Sequence, residues 1–471
     1  MNITVKDVLD ITKGHLLIKD DRNELLSYKL DNIALDSREV KEGTLFVATK
    51  GENVDAHKFI PGVANITKAI LTEEDEVGIM AKADISGLPS GVAYIKVDST
   101  VDALQDIGAY FRSNYDKTVI GVTGSVGKTT TREMITAAIN ACIPVFHTEG
   151  NRNSQLGVPL TLADMLDKPS EAAVIEMGIS EPGGMDKLTR MVMPDIAVCT
   201  MIGVAHIEFM KTQEGIRSEK LRIAGRMNEN GLLFLNADDK LLWDMKGKTE
   251  VKTLFFGTNP EADYRAENIR FENGYNTYDY VHGSDRITVL LSSLGRHNVL
   301  NSLVAMAICD VMGLDLMKAA GAFENFQGLR QKVLSSDKGY TIIDDTYNAS
   351  PDSMKAAINV LRDIEVTGKK IAVLGSMFEL GPSSDDYHRE VGEYIVNIND
   401  SSNSVDELVT VGEGGKLIAE GANNAENLHI SEFDNKEDAT EYIKSILKPG
   451  DVIIIKASNG MHLSEIVDNI Q

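Results

Sequence analysis

From about residue 118 onward, short apolar runs rich in β-branched residues alternate with stretches of helical pattern. That alternation predicts parallel strands joined by crossover helices, an α/β architecture. A first series places strands at Thr118–Val122, Ala173–Met177, Ile196–Met201 and Leu232–Leu235, with helices at about 128–141, 184–192 and 213–228. A second places strands at Thr341–Asp344, Lys370–Leu374, Leu408–Val411 and Val452–Lys456, each followed by a helical stretch. Between them, residues 262–293 carry Gly and Asn turns (ENGYNTYD, VHGSDR) and predict antiparallel strands. Helices follow near 295–312 and 315–325.

Before residue 115 the pattern is weaker. Strands at 33–35, 45–48 and 93–97 around a helix near 55–65 predict a small α+β unit, and the acidic run TEEDE at 72–76 reads as a solvated face. With 471 residues and roughly 150 residues per domain, the expectation is three domains. These are a small α+β N-terminal domain (1–115), a central P-loop-like domain with a mostly parallel sheet (116–325), and a C-terminal Rossmann-like α/β domain (326–471).

Composition narrows the class of partner. Acidic residues number 71 against 47 basic ones, a net charge of −24. Such a surplus repels nucleic acid and anionic lipid unless a local basic site overrides it. The longest purely apolar run, Leu303 to Cys309, is far short of the ~20 residues that span a bilayer. The N-terminus MNITVKDVLDITKG lacks the apolar core of a secretory signal. Cys142, Cys199 and Cys309 have no metal-ligand spacing and suit a reducing compartment. The expectation is a soluble cytoplasmic protein with no nucleic-acid or membrane partner.

The strongest chemical signal is TVIGVTGSVGKTTTREMI, an apolar strand, a glycine loop and a helix start. Glycines let backbone approach a polyphosphate, the helix N-terminus aims free N–H groups at it, Lys128 adds a mobile charge and Thr129 offers a hydroxyl to magnesium. The candidate loop is Thr123, Gly124, Ser125, Val126, Gly127, Lys128, Thr129 and Thr130. Full Walker spacing needs glycine where Val122 stands, so only the shorter Gly-x-x-Gly-Lys-Thr form is met. Glu176 ends the strand AAVIEMG and His206 follows IAVCTMIG, so both side chains can lie beside the phosphate loop, where a carboxylate next to the Thr129 hydroxyl suits Mg²⁺. Taken singly, Glu176 reads equally as a loop carboxylate and His206 as a structural hydrogen-bonder.

The ordered set GVTGSVGKTT, TEGNRNSQLGVPLTL, VIEMG, GVAHIE, SEKLRI, GRHNVLNSLVA, GLRQK, IIDDTYNASPDSM, VLGSMFELG and IIIKASNGM resembles the Mur ligase family from about residue 30 to the C-terminus. DDTYNASPDSM, where amino-acid-adding relatives usually carry an Asp-Tyr-Ala-His pattern, and GSMFELG followed by His388 resemble the branch that adds D-alanyl-D-alanine to a UDP-N-acetylmuramoyl tripeptide. The resemblance implies an ATP-dependent ligase working through an acyl phosphate; a monomer is expected. Ser37 and Arg38, with Asn151 and Asn153, match residues that hold the UDP-substrate. Lys128, Glu176, His206 and Lys220 match the catalytic set, with Thr129, Glu176, His206 and Lys220 toward Mg²⁺. Lys220 matches a lysine carried as a CO₂-derived carbamate (N6-carboxylysine), whereas spacing alone makes it a solvated helix lysine. Asn298, Arg330 and Asp345 match ATP contacts, the last two across a domain gap with hinges near 115 and 325. From the residues alone, Asn298 equally caps a helix, and Arg330 and Asp345 equally form a salt bridge within the last domain.

Some positions depart from the family pattern. Asn459 stands where an arginine is usual, Ser154 where a second asparagine is common, Arg222 where an acidic residue is frequent, and Gln331–Lys332 where Met-Glu is frequent. Two other readings share the remaining residues: a ligase of the same group that adds a single amino acid or glutamate, and a nucleotide-binding relative without catalysis.

Overall fold

Strand Thr118–Thr123, the strand that feeds the glycine loop, lies inside a sheet with neighbours on both sides, which decides where a ligand can sit. The structure is a computed structural model describing residues 1–471 except 18–21, 52–53, 273–274, 329–330, 400–403 and 426. Its described residues form three main sheets.

In the central sheet the strands run, in spatial order, 285–291, 275–282, 264–272, 252–257, 232–236, 196–199, 118–123, 172–176 and 145–147. Pairing is parallel from 145–147 through 264–272 and antiparallel over the last three strands, as the Gly and Asn turns predict. From 118–123 the chain passes to the edge strand 145–147, returns to 172–176 between the two, and then crosses to Ile196–Cys199 on the other side of 118–123. That reversal is a topological switch point, where an α/β sheet opens a crevice at its strand C-termini. Two apolar cores cover the two faces. One is built around the helix Arg296–Val311, whose Val299, Leu303 and Ala305 to Cys309 are all fully buried. The longest apolar run of the chain is therefore a core helix, and among the described residues no helix is long and apolar enough to cross a membrane.

The C-terminal sheet has the order 332–335, 341–344, 452–456, 370–375, 407–411 and 429–433, parallel except for its first pair. The N-terminal sheet pairs 32–34, 44–47, 69–72 and 93–96 in parallel, with His15–Leu16 antiparallel at the edge. Strand Ala69–Thr72 and helix Thr100–Ser113 are among the elements of this unit absent from the expectations above. The helix expected near 55–65 is a 3₁₀ turn, Ala56–Phe59, followed by one α turn. The helix expected over 213–228 ends at Leu221 and passes into a 3₁₀ turn. Part of the acidic run is structural: Glu73 accepts from the Thr100 backbone N–H and hydroxyl (2.8 and 2.9 Å), and Asp75 caps the helix Glu76–Ala83.

The N-terminal unit is anchored rather than tethered. Arg112, buried at the end of its last helix, donates to the carbonyls of Val192 (2.7 Å), Tyr115 (2.9 Å) and Met193 (2.9 Å). Gly108 packs against Pro159 so closely that a Cβ there would meet Pro159 Cα at 2.8 Å.

Candidate active site

The glycine loop turns where side chains have no room. Gly124 takes φ +149° and Gly127 φ +86°, and a Cβ on Gly124 would lie 1.9 Å from the Thr200 hydroxyl oxygen. Thr200, on the segment after strand Ile196–Cys199, donates to the Val126 carbonyl (2.5 Å) and fixes the loop from outside. The hydroxyls of Thr123 and Ser125 are buried and have no hydrogen-bond partner among the described residues. Leaving a buried hydroxyl unpaired costs about 1–3 kcal/mol, and a phosphate oxygen arriving in the loop is an acceptor of the right kind. Val126 and Thr130 are half-buried in the same turn.

Two lysines meet at one carbonyl oxygen. Lys128 Nζ donates to the Gly124 carbonyl at 2.9 Å, and Lys220 Nζ donates to the same oxygen at 3.0 Å. Lys220 is only 2% exposed. The solvated reading of that residue is overturned: its helix, Gln213–Leu221, packs this face inward, against a carbonyl 96 residues away in the sequence. Burial, reinforced by repulsion from Lys128, pushes the Lys220 ammonium down to about 7.

Glu176 ends strand Ala172–Glu176 fully buried beside the loop. Its Oε1 accepts from the Thr129 hydroxyl (3.2 Å) and the Asn153 amide (2.7 Å), and its Oε2 lies 3.3 Å from Arg132 Nη1. Asn153 also donates to Asn151 Oδ1 (3.0 Å), so both asparagines attach to this centre. His206 sits at φ +62° with Nδ1 2.7 Å from Glu379 Oε2 of the C-terminal domain, and Glu379 itself has φ +62°. Two non-glycine residues in the left-handed region at one contact mark stored backbone strain, a feature of functional sites. Burial holds the His206 imidazole below its ordinary range, against the pull of Glu379 and with help from Lys128 and Lys220. A neutral imidazole is the form that can ligate a metal. Thr129 and Glu176 set two hard oxygens side by side at the loop, the kind of donor a divalent cation takes beside a polyphosphate.

The other expected residues lie further out. Asn298 is in the first turn of its helix rather than at the cap, which is Gly295. Its amide donates to Ser293 Oγ (2.9 Å) and the Leu294 carbonyl (2.6 Å). Its Oδ1 accepts from Asn301 (3.0 Å), whose own Oδ1 accepts from Thr131 in the loop helix (2.9 Å), so Asn298 reaches the loop through a relay. Asp345 pairs with buried Lys456 at 2.8 Å. Arg330 lies outside the described residues. Ser37 and Arg38 form a 3₁₀ turn behind Asp36. The Arg38 side chain is 87% exposed and pairs with Asp36 at 2.5 Å. The strand that leads into this turn, Asn32–Ala34, packs on the helix Gly157–Asp164, which follows the Asn151–Asn153 loop.

The reading of the sequence did not single out Arg132, Thr200, Asn301, Glu379 or Asp352. Asp352, in the helix Pro351–Asp363 of the C-terminal domain, accepts from the backbone N–H of Val204 across the domain seam, and burial raises its carboxyl. A Cβ on Gly203 would lie 2.2 Å from Asp352 Oδ2 and 3.4 Å from Ser125 Cβ. Gly203→Ala is therefore expected to wedge the C-terminal domain off the phosphate loop. Turnover should fall about tenfold, a loss of ~1.4 kcal/mol, with ADP binding retained and a larger radius of gyration by X-ray scattering. Unchanged scattering and unchanged turnover would count against a seam closed through Asp352.

A phosphate cradle at the switch point of a parallel sheet, with a second α/β domain closing on it, defines a nucleotide-dependent α/β protein. The profile described as the Mur ligase middle domain matches residues 122–309, and that of the Mur ligase, glutamate ligase domain matches residues 329–459. The chain is 35% identical to the UDP-N-acetylmuramoyl-tripeptide--D-alanyl-D-alanine ligase of Bacillus subtilis, covering 99% of this chain and 98% of that one. Among solved structures it resembles MurF from Acinetobacter baumannii (TM-score 0.88, 27% identity, 100% and 99% coverage). It also resembles the MurF ligase from Thermotoga maritima in complex with ADP (TM-score 0.79, 29% identity, 93% and 96% coverage). The chain belongs to the Mur ligase family.

Proposed function

We propose that this chain joins D-alanyl-D-alanine to a UDP-N-acetylmuramoyl tripeptide with hydrolysis of ATP to ADP, giving the UDP-muramoyl pentapeptide for peptidoglycan synthesis. The observation that carries this reading is the likeness over 99% of the chain to a ligase whose name states that pair of substrates. The chemistry at the phosphate loop supports it.

The tripeptide carboxylate attacks the γ-phosphorus of ATP, ADP leaves and an acyl phosphate forms. The dipeptide amine then attacks the acyl carbon and phosphate leaves. The first step brings two anions together, so fixed cations and donors govern its rate. Lys128, at the helix start, is placed to follow the γ-phosphate, and the unpaired hydroxyls of Thr123 and Ser125 are donors for phosphate oxygens. Magnesium, when bound, supplies further charge neutralisation there; Thr129, Glu176, His206 and Lys220 are the residues that would hold it. His206, held neutral by its burial, keeps a lone pair for that role, and the Glu379 carboxylate orients its ring.

Lys220 fits the carbamate role. With its ammonium lowered to about 7, a large fraction of the amine is neutral at physiological pH, and only the neutral amine adds CO₂. The N–C bond forms, one N–H proton goes to solvent, and a cation repelled by Lys128 becomes an anion attracted to it, with oxygens for a metal.

In this reading the segments divide the task. Residues 1–115 hold the UDP-sugar through Ser37 and Arg38, residues 116–325 hold ATP, and residues 326–471 bring the dipeptide and complete the ATP site through Asp345. Asn298 serves the adenine end. The enzyme works as a cytoplasmic monomer.

A coupled ADP-release assay tests the proposal, using UDP-muramoyl tripeptides that end in lysine or in diaminopimelate. The expected result is ADP release with D-alanyl-D-alanine and none with glutamate or free meso-diaminopimelate as acceptor. The opposite acceptor pattern would overturn it.

A further inference from the structure

We infer that Arg132 is a positioning residue for this reaction: it holds the Glu176 carboxylate and the Gly150 carbonyl in fixed register with the phosphate loop. The inference rests on the reading of Thr129 and Glu176 as the metal-holding pair.

Arg132 is 1% exposed, one turn into the helix Lys128–Asn140. Removing a guanidinium from water is expensive unless its partners are charged and well placed, so a fully buried arginine in a helix face needs a specific set of acceptors. Those acceptors converge from three directions. Nη1 lies 3.3 Å from Glu176 Oε2 and 3.1 Å from the Gly150 carbonyl, and Nη2 lies 3.0 Å from Glu133 Oε1. Nε is buried with no partner among the described residues, so the group is placed for these contacts rather than for its own full satisfaction.

The consequence for Glu176 is geometric. Its Oε1 faces the Thr129 hydroxyl and the Asn153 amide while Oε2 faces Arg132, so both oxygens are restrained and the carboxylate plane cannot turn. Gly150 opens the segment Gly150–Arg152 that leads to Asn153. The same guanidinium therefore ties that loop, proposed to hold the UDP-substrate, to the carboxylate beside the phosphate loop. Arg132 acts through Glu176 and Gly150. The helix after the loop serves three partners from adjacent positions: Thr129 faces Glu176, Thr131 faces Asn301, and Arg132 joins Glu176 to Gly150.

Groups that orient a metal-holding carboxylate typically change metal affinity or activity 10–100-fold when altered. Lysine keeps the charge but offers one ammonium on a shorter, flexible stem, where Arg132 sets Nη1 on Glu176 and Gly150 while Nη2 is braced on Glu133, so it does not hold Glu176 in the same fixed register. The test is calorimetric ADP binding against Mg²⁺ concentration, with the KM for UDP-muramoyl tripeptide, in the full-length wild type, Arg132→Lys and Arg132→Met. Arg132→Lys is expected to keep a melting temperature near wild type and a wild-type affinity for ADP without metal. Its Mg²⁺ half-saturation should rise on the order of 10-fold or more, together with the tripeptide KM. Arg132→Met should show a larger shift of the same kind; if it does not fold, Arg132→Lys decides. Wild-type Mg²⁺ half-saturation and KM in Arg132→Lys would overturn the inference while leaving the metal pair intact. Equal weakening of metal-free ADP binding would also overturn it, since that is loop collapse rather than positioning. A wild type whose ADP binding ignores Mg²⁺ would overturn the reading of Thr129 and Glu176, and the inference with it.

Discussion

Lys220→Met is expected to abolish ligation, lowering kcat/KM on the order of 10³-fold, the scale seen when a preorganised electrostatic group is removed from an active site. The methionine fills the same buried space against the same helix, so the loss should not be one of folding. In ¹³C-bicarbonate the wild type should give a carbamate resonance that Lys220→Met lacks. Activity without that resonance would remove the carbamate from the mechanism. Stability supplies an independent check. The folded ammonium titrates near 7 and the ordinary lysine value is 10.5, so between those pH values the unfolded chain holds the proton that the folded chain has given up. Unfolding then takes up a proton, and stability rises with pH across that window, by at most about 1.4 kcal/mol per pH unit. Below pH 7 both states are protonated and the full burial penalty remains. In carbonate-free buffer, denaturant titrations at several pH values should show a wild-type slope in this window that Lys220→Met has lost. Equal slopes in the two proteins would mean that Lys220 titrates as an exposed lysine.

Lys220 also marks the limit of what the sequence discloses. The segment RSEKLR has charges on both sides of the lysine and no apolar face that announces burial; what buries it is the Gly124 carbonyl, a contact between distant parts of the chain. The phosphate loop is legible for the opposite reason. Its strand, glycines, lysine and helix start are contiguous, and the need for positive φ at Gly127 is local. Arg132 lies inside that legible motif, yet reads as an ordinary helix arginine because its partners Gly150 and Glu176 come from other elements. Helix Thr100–Ser113 is a different case. Ala103, Leu104, Ile107 and Phe111 repeat at helical spacing and are buried as that spacing requires, so its signal is present in the residues. Strand Ala69–Thr72 is four residues long and runs into TEEDE, too short for alternation to reveal it. Asp345 stands between two readings: its salt bridge to Lys456 is within the last domain, while its proposed role lies across the seam.

The same logic makes Gly124→Ala a severely damaging single methyl. At φ +149° an alanine is strained wherever it points, which costs on the order of 1–3 kcal/mol. It also points at Thr200: the new Cβ would stand 1.9 Å from the hydroxyl oxygen, 3.1 Å from Thr200 Cβ and 3.2 Å from the backbone nitrogen. Thr200 has little freedom to yield, because its hydroxyl donates to Val126 and its backbone N–H donates to Thr123 at 3.0 Å. The loop must shift instead, and the shift moves the one carbonyl that gathers Lys128 and Lys220. ADP affinity is therefore expected to fall about 100-fold, ~2.7 kcal/mol, with a melting temperature lower by several degrees. Gly127→Ala makes the internal comparison. Its φ is also positive, at +86°, but the nearest atom to a new Cβ is Asn301 Oδ1 at 3.3 Å, so strain acts there almost without collision and the loss should be smaller. A double-mutant cycle separates the two causes. Thr200→Ala removes the oxygen at 1.9 Å, so adding it to Gly124→Ala should recover the part of ADP affinity lost to collision and leave the part lost to backbone strain. Additive losses in that cycle would mean that Thr200 is not what excludes a side chain at position 124, and wild-type ADP binding by Gly124→Ala alone would show that the loop does not need its glycine there.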